Sequence, residues 1–151
     1  MINLRKATAT DAKMVFDWRN DAEARTASRS TSVVEWAGHV SWFAARLSTS
    51  HAESIWIIQQ GSTPIGSARV NKYESDDRAE ISIVLAPKYR NRGFGRDAVK
   101  QLADTARAMG CLPIAFVRPE NKRSLNTFLK AGFTFVDTLV ELQAHGRDGR
   151  E

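Results

Sequence analysis

A single cysteine, Cys111, is all the thiol that the 151 residues contain. One cysteine makes no internal disulfide and no cysteine-rich metal site. Its apolar setting, CLPIAFV, marks it as a buried thiol. No apolar run approaches the ~20 residues that a membrane-spanning helix needs. The opening stretch, MINLRKATATDAKMV, has no long apolar segment of the kind that marks a secretory leader. The expected compartment is therefore the cytosol, without membrane contact. Three scattered histidines show no ligand spacing, so no metal is expected. Internal repeats and linkers are lacking as well.

What remains is the balance of a globular chain, with 42% hydrophobic and 26% charged residues. The length fits one domain of ~100–200 residues, expected over 1–145, with 146–151 as a polar flexible tail. The net charge of +5 suits an anionic partner, whether nucleic acid, acidic membrane or phosphate-rich cofactor. Lys88, Arg90, Arg92 and Arg96 lie within nine residues that hold no acid. The other basic residues are interspersed with acids, as on a solvated surface.

Residues 2–7 alternate as a first strand. Thr10 can cap a helix over 11–20 that turns Val15 and Trp18 inward. Ser32 and Glu35 form a capping-box pattern ahead of Trp36, Val40, Phe43 and Leu47, whose spacing predicts a buried helical stripe. Strands are expected over 54–59, 65–73 and 79–85, with a turn at 61–64 between the first two. In the third, Ile81, Ile83 and Leu85 face one way and Glu80, Ser82 and Val84 the other. A basic glycine loop then leads into a helix with Ala98, Val99, Leu102, Ala103 and Ala106 on one side, stopped by Gly110. Residues 113–117 read as a short central strand, 121–131 as a helix closed by Gly132, and 133–142 as a last strand. The fold class is mixed α/β, with an antiparallel front half and a β-α-β-α-β back half.

The loop Arg90-Asn91-Arg92-Gly93-Phe94-Gly95 lies between a strand and a helix. A helix N-terminus offers unpaired N–H groups and partial positive charge. Glycines let the backbone approach a ligand closely, and nearby arginines add charge-assisted bonds. Together these suit a pyrophosphate. The same hexamer also fits a glycine turn with solvated arginines. A Walker loop is excluded by the lack of Gly-Lys-Ser/Thr, and the dinucleotide fingerprint by the missing third glycine.

This hexamer, with the strand AEISIVLAP before it and the amphipathic helix after it, resembles the acetyl-CoA motif of the GNAT acetyltransferases, Arg/Gln-x-x-Gly-x-Gly/Ala. Downstream, Asn121, Ser124, Phe128, Gly132 and Phe133 are similar in spacing to that family's Asn-x-x-Ala-x-x-x-Tyr-x-x-x-Gly-Phe. The resemblance implies a central sheet splayed at a cofactor cleft, flanked by about four helices, and an acetyl-CoA-dependent acyltransferase. It implies that the backbone of Ile83, Val84 and Leu85 pairs with the pantetheine arm. Amides of Arg92, Gly93, Gly95 and Arg96 would hold the pyrophosphate, and Asn121 the pantetheine or thioester end. Arg90, Asn91, Phe94, Ser124 and Phe128 complete the expected cofactor set.

Trp18-Arg19-Asn20-Asp21, Arg25, Ser28, Glu35, His39, Trp42-Phe43 and Leu47 resemble the branch of that family acting on amino groups of nucleotide-linked deoxysugars. The acceptor implied is a small-molecule amine of that kind, with Trp18, Arg19, His39, Trp42 and Tyr73 on the acceptor side. Packing of His39 and Trp42 between helices is the alternative, as is a solvated Arg19 or Arg25. The same region is similar, more loosely, to transferases acting on protein N-termini. Glu80, the one acid in an apolar strand, is the candidate base. Apolar surroundings shift a carboxylate towards a range useful for proton abstraction. An ion pair with Arg69 or Arg78 is the competing role.

The chain departs from the resemblance at Phe128, where the family often has a tyrosine to protonate the leaving thiolate. Water, Tyr73, Ser82 or Ser124 would have to serve instead. A non-catalytic acyl-CoA-binding module is therefore kept as a second reading. Nucleic-acid binding has no motif here, and the basic cluster is already accounted for by pyrophosphate. A sheet edge beyond the last strand leaves a homodimer open.

Overall fold

The computed structural model describes residues 1–28, 30–48 and 53–136. One mixed sheet runs in the order β1-β2-β3-β4-β5. Its strands are β1 (Ile2–Lys6), β2 (Glu53–Gln60), β3 (Thr63–Lys72), β4 (Arg78–Leu85) and β5 (Leu112–Ile114). The first three pairings are antiparallel and β4–β5 is parallel. The helices are α1 (Ala12–Asn20), α2 (Ala22–Ala27), α3 (Trp36–Ser48), α4 (Phe94–Ala108) and α5 (Lys122–Lys130). No helix among the described residues is long and apolar enough to cross a membrane.

Strand alternation sorts the core into two faces. Ile58, Ile65, Val70 and Ile81 lie under α4, whose Ala98, Val99, Leu102, Ala103 and Ala106 are all buried, as their spacing predicts. A fully buried leucine such as Leu102 contributes roughly 1.5–3 kcal/mol. Gln101 fastens α4 to the outer strand, its Nε2 donating to Ile2 O at 2.8 Å. On the opposite face Ile55 and Ile57 meet Val15 and Phe43 of α1 and α3.

Several elements differ from expectation, each for a local reason. The first helical segment opens at Thr8, not Thr10. Asp11 accepts from Thr8 N at 2.8 Å while also pairing with Arg5. Helix α2 has no apolar periodicity and went unforeseen. Its start is set by Asp21, whose carboxylate accepts from Ala24 N at 3.1 Å. Helix α3 starts at Trp36, so Ser32 lies too early to cap it. Asn20 has taken both backbone groups of Val34, accepting from its N–H at 2.7 Å and donating to its carbonyl at 2.8 Å. That pairing competes with helix formation through 32–35.

The buried stripe of α3 is rotated relative to the predicted one. Trp36 and Val40 are exposed, and His39 is fully buried beside Phe43. Strand β5 is shorter than expected and, among the described residues, ends the sheet instead of lying inside it. Of the strand expected over 133–142, residues 133–136 are in no strand. Residues 137–142 and the tail at 146–151 lie outside the described residues.

Candidate active site

Strands β4 and β5 stay paired only from Arg78↔Leu112 to Glu80↔Ile114. β5 then ends, while β4 runs on to Leu85. Along 82–85 β4 therefore has a strand on one side only, and alternate backbone groups face the gap. A cleft of about 540 Å3 occupies it. Its walls are Ile81 to Leu85, the loop at Asn91 and Gly93, Gly95 and Arg96 of α4, Phe116 and Val117, and the α5 residues Ser124, Thr127 and Phe128. The other side of β4 is held close to β3 at Gly66, where a Cβ would overlap the carbonyl oxygen of Val84.

The loop before α4 carries the positive φ angles that a close backbone approach needs, 59° at Asn91 and 85° at Gly93. No side chain caps α4. Its first-turn N–H groups at Phe94, Gly95 and Arg96 have no acceptor within the helix. A Cβ on Gly95 would lie 3.3 Å from Thr127 Cγ2, so glycine lets α4 and α5 close together under the cleft. Asn121 caps α5, its Oδ1 accepting from Ser124 N at 3.1 Å. Ser124 and Phe128 then share one face of α5, a turn apart.

Arg90 lines this cleft but is engaged by its neighbours, and Arg92 and Phe94 do not line it. The Arg90 guanidinium is only 10% exposed and pairs with Asp21 at 2.8 Å and Glu23 at 2.6 Å. Its Nε donates to Leu85 O at 3.1 Å. Arg90 thus braces the loop against α2 and the end of β4 through Nε and Nη1, while its buried Nη2 lies near Asp21 without a hydrogen bond. Phe94 packs against the core and Tyr89, and Arg92 lies over both rings. Arg96 lines the cleft with half its side chain exposed.

The acceptor-side residues separate as well. His39 is buried between Ala12 O, at 2.7 Å from Nε2, and Arg19, at 3.0 Å from Nδ1. A guanidinium only donates, so Nδ1 accepts and Nε2 carries the proton. Burial first, and the Arg19 charge second, hold this imidazole below its ordinary range. Trp18 packs beside Val15 and Phe43, and Trp42 stacks under Arg19 at 4.1 Å. Tyr73 sits at the β3–β4 turn, its N–H donating to Arg78 O. His39, Trp18, Trp42 and Tyr73 line neither cleft, whereas Arg19 does reach one.

That second cleft, of about 210 Å3, is lined by Arg19, Arg25 and Arg69, by Ser28, Ser30 and Ser32, and by valines. It shares Ala24, Ser28, Arg69 and Val84 with the first. Glu80 lines neither cleft. It lies on the same face of β4 as Ser82 and Val84, paired in register with Asn71.

Two ties across the larger cleft were not foreseen. Glu23 on α2 bridges Arg90 and Arg123 of α5, and Arg123 and Arg90 hold its carboxyl below its ordinary range. Arg118 Nε donates to Ser28 O at 2.7 Å. In sequence these charges look like ordinary surface, and only the fold brings them together.

The chain belongs to the GNAT family. The model of the Acetyltransferase (GNAT) domain matches residues 2–134. The chain is an acetyl-CoA-dependent acetyltransferase of that family. No curated protein sequence matches it.

Solved structures share the fold. Spermidine N-acetyltransferase from Vibrio cholerae, in complex with CoA and spermine, superposes with a TM-score of 0.82 at 18% identity, covering 93% of this chain and 85% of that one. An aminoglycoside acetyltransferase in complex with coenzyme A gives 0.77 at 18% identity, over 92% and 87%. A domain from Methanocaldococcus jannaschii gives 0.79 at 23% identity, over 93% of both.

The cleft suits acetyl-CoA on its own geometry. It offers a bare strand edge for an amide-bearing arm and left-handed glycine at an uncapped helix start for phosphates. Arg96, Arg123 and Lys130 on its walls supply positive charge.

Proposed function

We propose that the chain transfers acetyl directly to the primary amine of a small molecule, and that this amine belongs to a nucleotide-linked amino deoxysugar. The observation that supports direct transfer is the continuity of the two clefts through Ala24, Ser28, Arg69 and Val84. Groups lying along β4 and groups entering beside α2 meet above Val84. Orientation of this kind is worth roughly 7–11 kcal/mol of barrier.

Acetyl-CoA, when bound, supplies an acyl group activated as a thioester. The backbone of Ile83, Val84 and Leu85 orients the pantetheine arm. The N–H groups of Arg92, Gly93, Gly95 and Arg96 hold the pyrophosphate, and Asn121 closes the other wall. Glu80 accepts the amine proton through a chain of waters, roughly 13 Å along the strand from Val84. Ser124, a cleft-lining residue one turn before Phe128 on α5, supplies the hydroxyl that Phe128 lacks.

The test is release of CoA thiol with UDP- and dTDP-linked amino sugars, N-terminal peptides and polyamines as acceptors. Turnover is expected on a nucleotide-linked amino sugar. Glu80→Ala should lower kcat by about 100-fold or more with CoA affinity unchanged. Turnover on peptides alone would replace the acceptor. CoA binding without turnover on any amine would leave an acyl-CoA-binding module.

A further inference from the structure

We infer that the smaller cleft is a subsite for an anionic group carried by the acceptor, a phosphate or a carboxylate, and that it selects against polycationic amines. The inference deepens the transfer reading above and rests on it. Arg19, Arg25 and Arg69 reach this cleft from α1, α2 and β3, and Ser28, Ser30 and Ser32 add hydroxyls. No aspartate or glutamate is among its lining residues.

Two of the guanidiniums converge on one ring. Arg19 and Arg69 lie 4.1 Å and 5.6 Å from the centre of Trp42. The Arg19 group is held below its ordinary range, first by burial and then by the charge of Arg69. Like charges brought together in a partly buried wall repel, and an anion between them relieves that repulsion. The planar fork of arginine matches the paired oxygens of phosphate and carboxylate.

The walls are set before any ligand arrives. Asn20 pins Val34 through both backbone groups, and Arg118 pins Ser28. A site fixed in this way spends less of its binding energy on ordering. Its junction with the larger cleft at Val84 and Arg69 directs the amine of a bound acceptor towards the strand edge, with its anionic part left behind in the smaller cleft.

The test is calorimetric titration of inorganic pyrophosphate and, separately, succinate into protein saturated with CoA, so that the cofactor's own phosphate site is filled. At least one anion is expected to bind. Arg25→Gln and Arg69→Gln should each weaken it about tenfold or more, with thermal unfolding confirming that both variants are folded. Pyrophosphate binding alone assigns a phosphate, and succinate binding alone a carboxylate. Failure of both anions to bind at millimolar concentration, or unchanged affinity in both variants, overturns the subsite.

A matched pair supplies the second arm, an amino sugar as its 1-phosphate and as its methyl glycoside. The phosphate form should have at least tenfold higher kcat/KM, and spermidine should be the poorest acceptor. Equal values overturn the selectivity. If no amine is acetylated while pyrophosphate still binds through Arg25 and Arg69, the transfer reading fails and the subsite stands.

Discussion

The two faces of the sheet solve different problems with different chemistry. On the α4 face, small aliphatic side chains interlock with Ile58, Ile65, Val70 and Ile81, and no charge is buried among them. This packing sets the start of α4 beside the end of β4, so the cofactor cleft gains a bare strand edge and an uncapped helix start among its side-chain walls. On the α1–α3 face the packing is aromatic and polar. His39 lies among the rings of Phe16, Trp36, Trp42 and Phe43, at centroid distances of 5.3 to 5.9 Å. Arg19 bonds to it and leans on Trp42. Here side chains, not backbone, determine what the neighbouring cleft can bind. A backbone site tolerates sequence change and can serve a cofactor common to a family. A side-chain site changes with each substitution and can serve one acceptor.

The largest effect should come from the core of the aromatic face. Phe43 is 2% exposed and Trp36 is 45% exposed, although both stand in the predicted stripe. Phe43→Ala should cost about 3–5 kcal/mol in urea unfolding. Trp36→Ala should cost about 1 kcal/mol, the worth of its edge-on contact with Phe16. Equal losses would return α3 to the unrotated orientation.

Gly93→Ala probes the backbone side. A left-handed residue costs roughly 1–2 kcal/mol when it is not glycine, and the added methyl intrudes where a phosphate approaches. Calorimetry should show acetyl-CoA affinity falling about tenfold. Unchanged affinity would mean that the start of α4 does not hold the phosphates.

The difference between the faces also explains what could be read in the sequence. The α4 stripe was legible because alanine, valine and leucine report burial with little ambiguity. The glycine loop was legible because positive φ leaves a residue signature. The α3 face is ambiguous in sequence because histidine and tryptophan carry both polar and apolar character. His39 is buried through two hydrogen bonds that no helical spacing announces. Trp18-Arg19-Asn20-Asp21 reads as a unit in the sequence, yet its members act separately. Trp18 packs, Arg19 holds His39, Asn20 clamps Val34 and Asp21 holds Arg90. The ion pairs of Glu23 and Arg123 link residues far apart in sequence, and no local pattern records them.

The next effect is a pH dependence confined to the aromatic face. The fold holds His39 neutral, with Nδ1 facing the donors of Arg19 and a pKa lowered by burial and by that charge. Stabilisation from a lowered pKa is complete above the unfolded value of ~6.5 and is lost as pH falls through the lower folded value. The urea midpoint should therefore decline from pH 7 towards pH 5, above the range in which carboxylates titrate. His39→Gln should be less stable throughout and flat across that window. An equal slope in the variant would place the titrating group elsewhere.

The smallest effect is expected where the sequence departs from its family, at Phe128. This ring is 6% exposed, lies edge-on to Phe133 at 5.1 Å and forms part of the cofactor wall. If that side of the molecule works mainly through backbone, restoring a phenol there should change little. A thiol of pKa ~8.5 is already a fair leaving group. Phe128→Tyr should raise kcat by no more than about threefold at pH 8, below the 10²–10⁴-fold typical of a general acid that limits a rate. Ser124→Ala should likewise lower kcat by no more than about threefold, and lose that effect once the tyrosine is present. A rise of about 100-fold on Phe128→Tyr would show that proton delivery to the thiolate limits turnover. The cofactor side would then depend on a side chain after all, and the contrast between the two faces would fail at its reacting end.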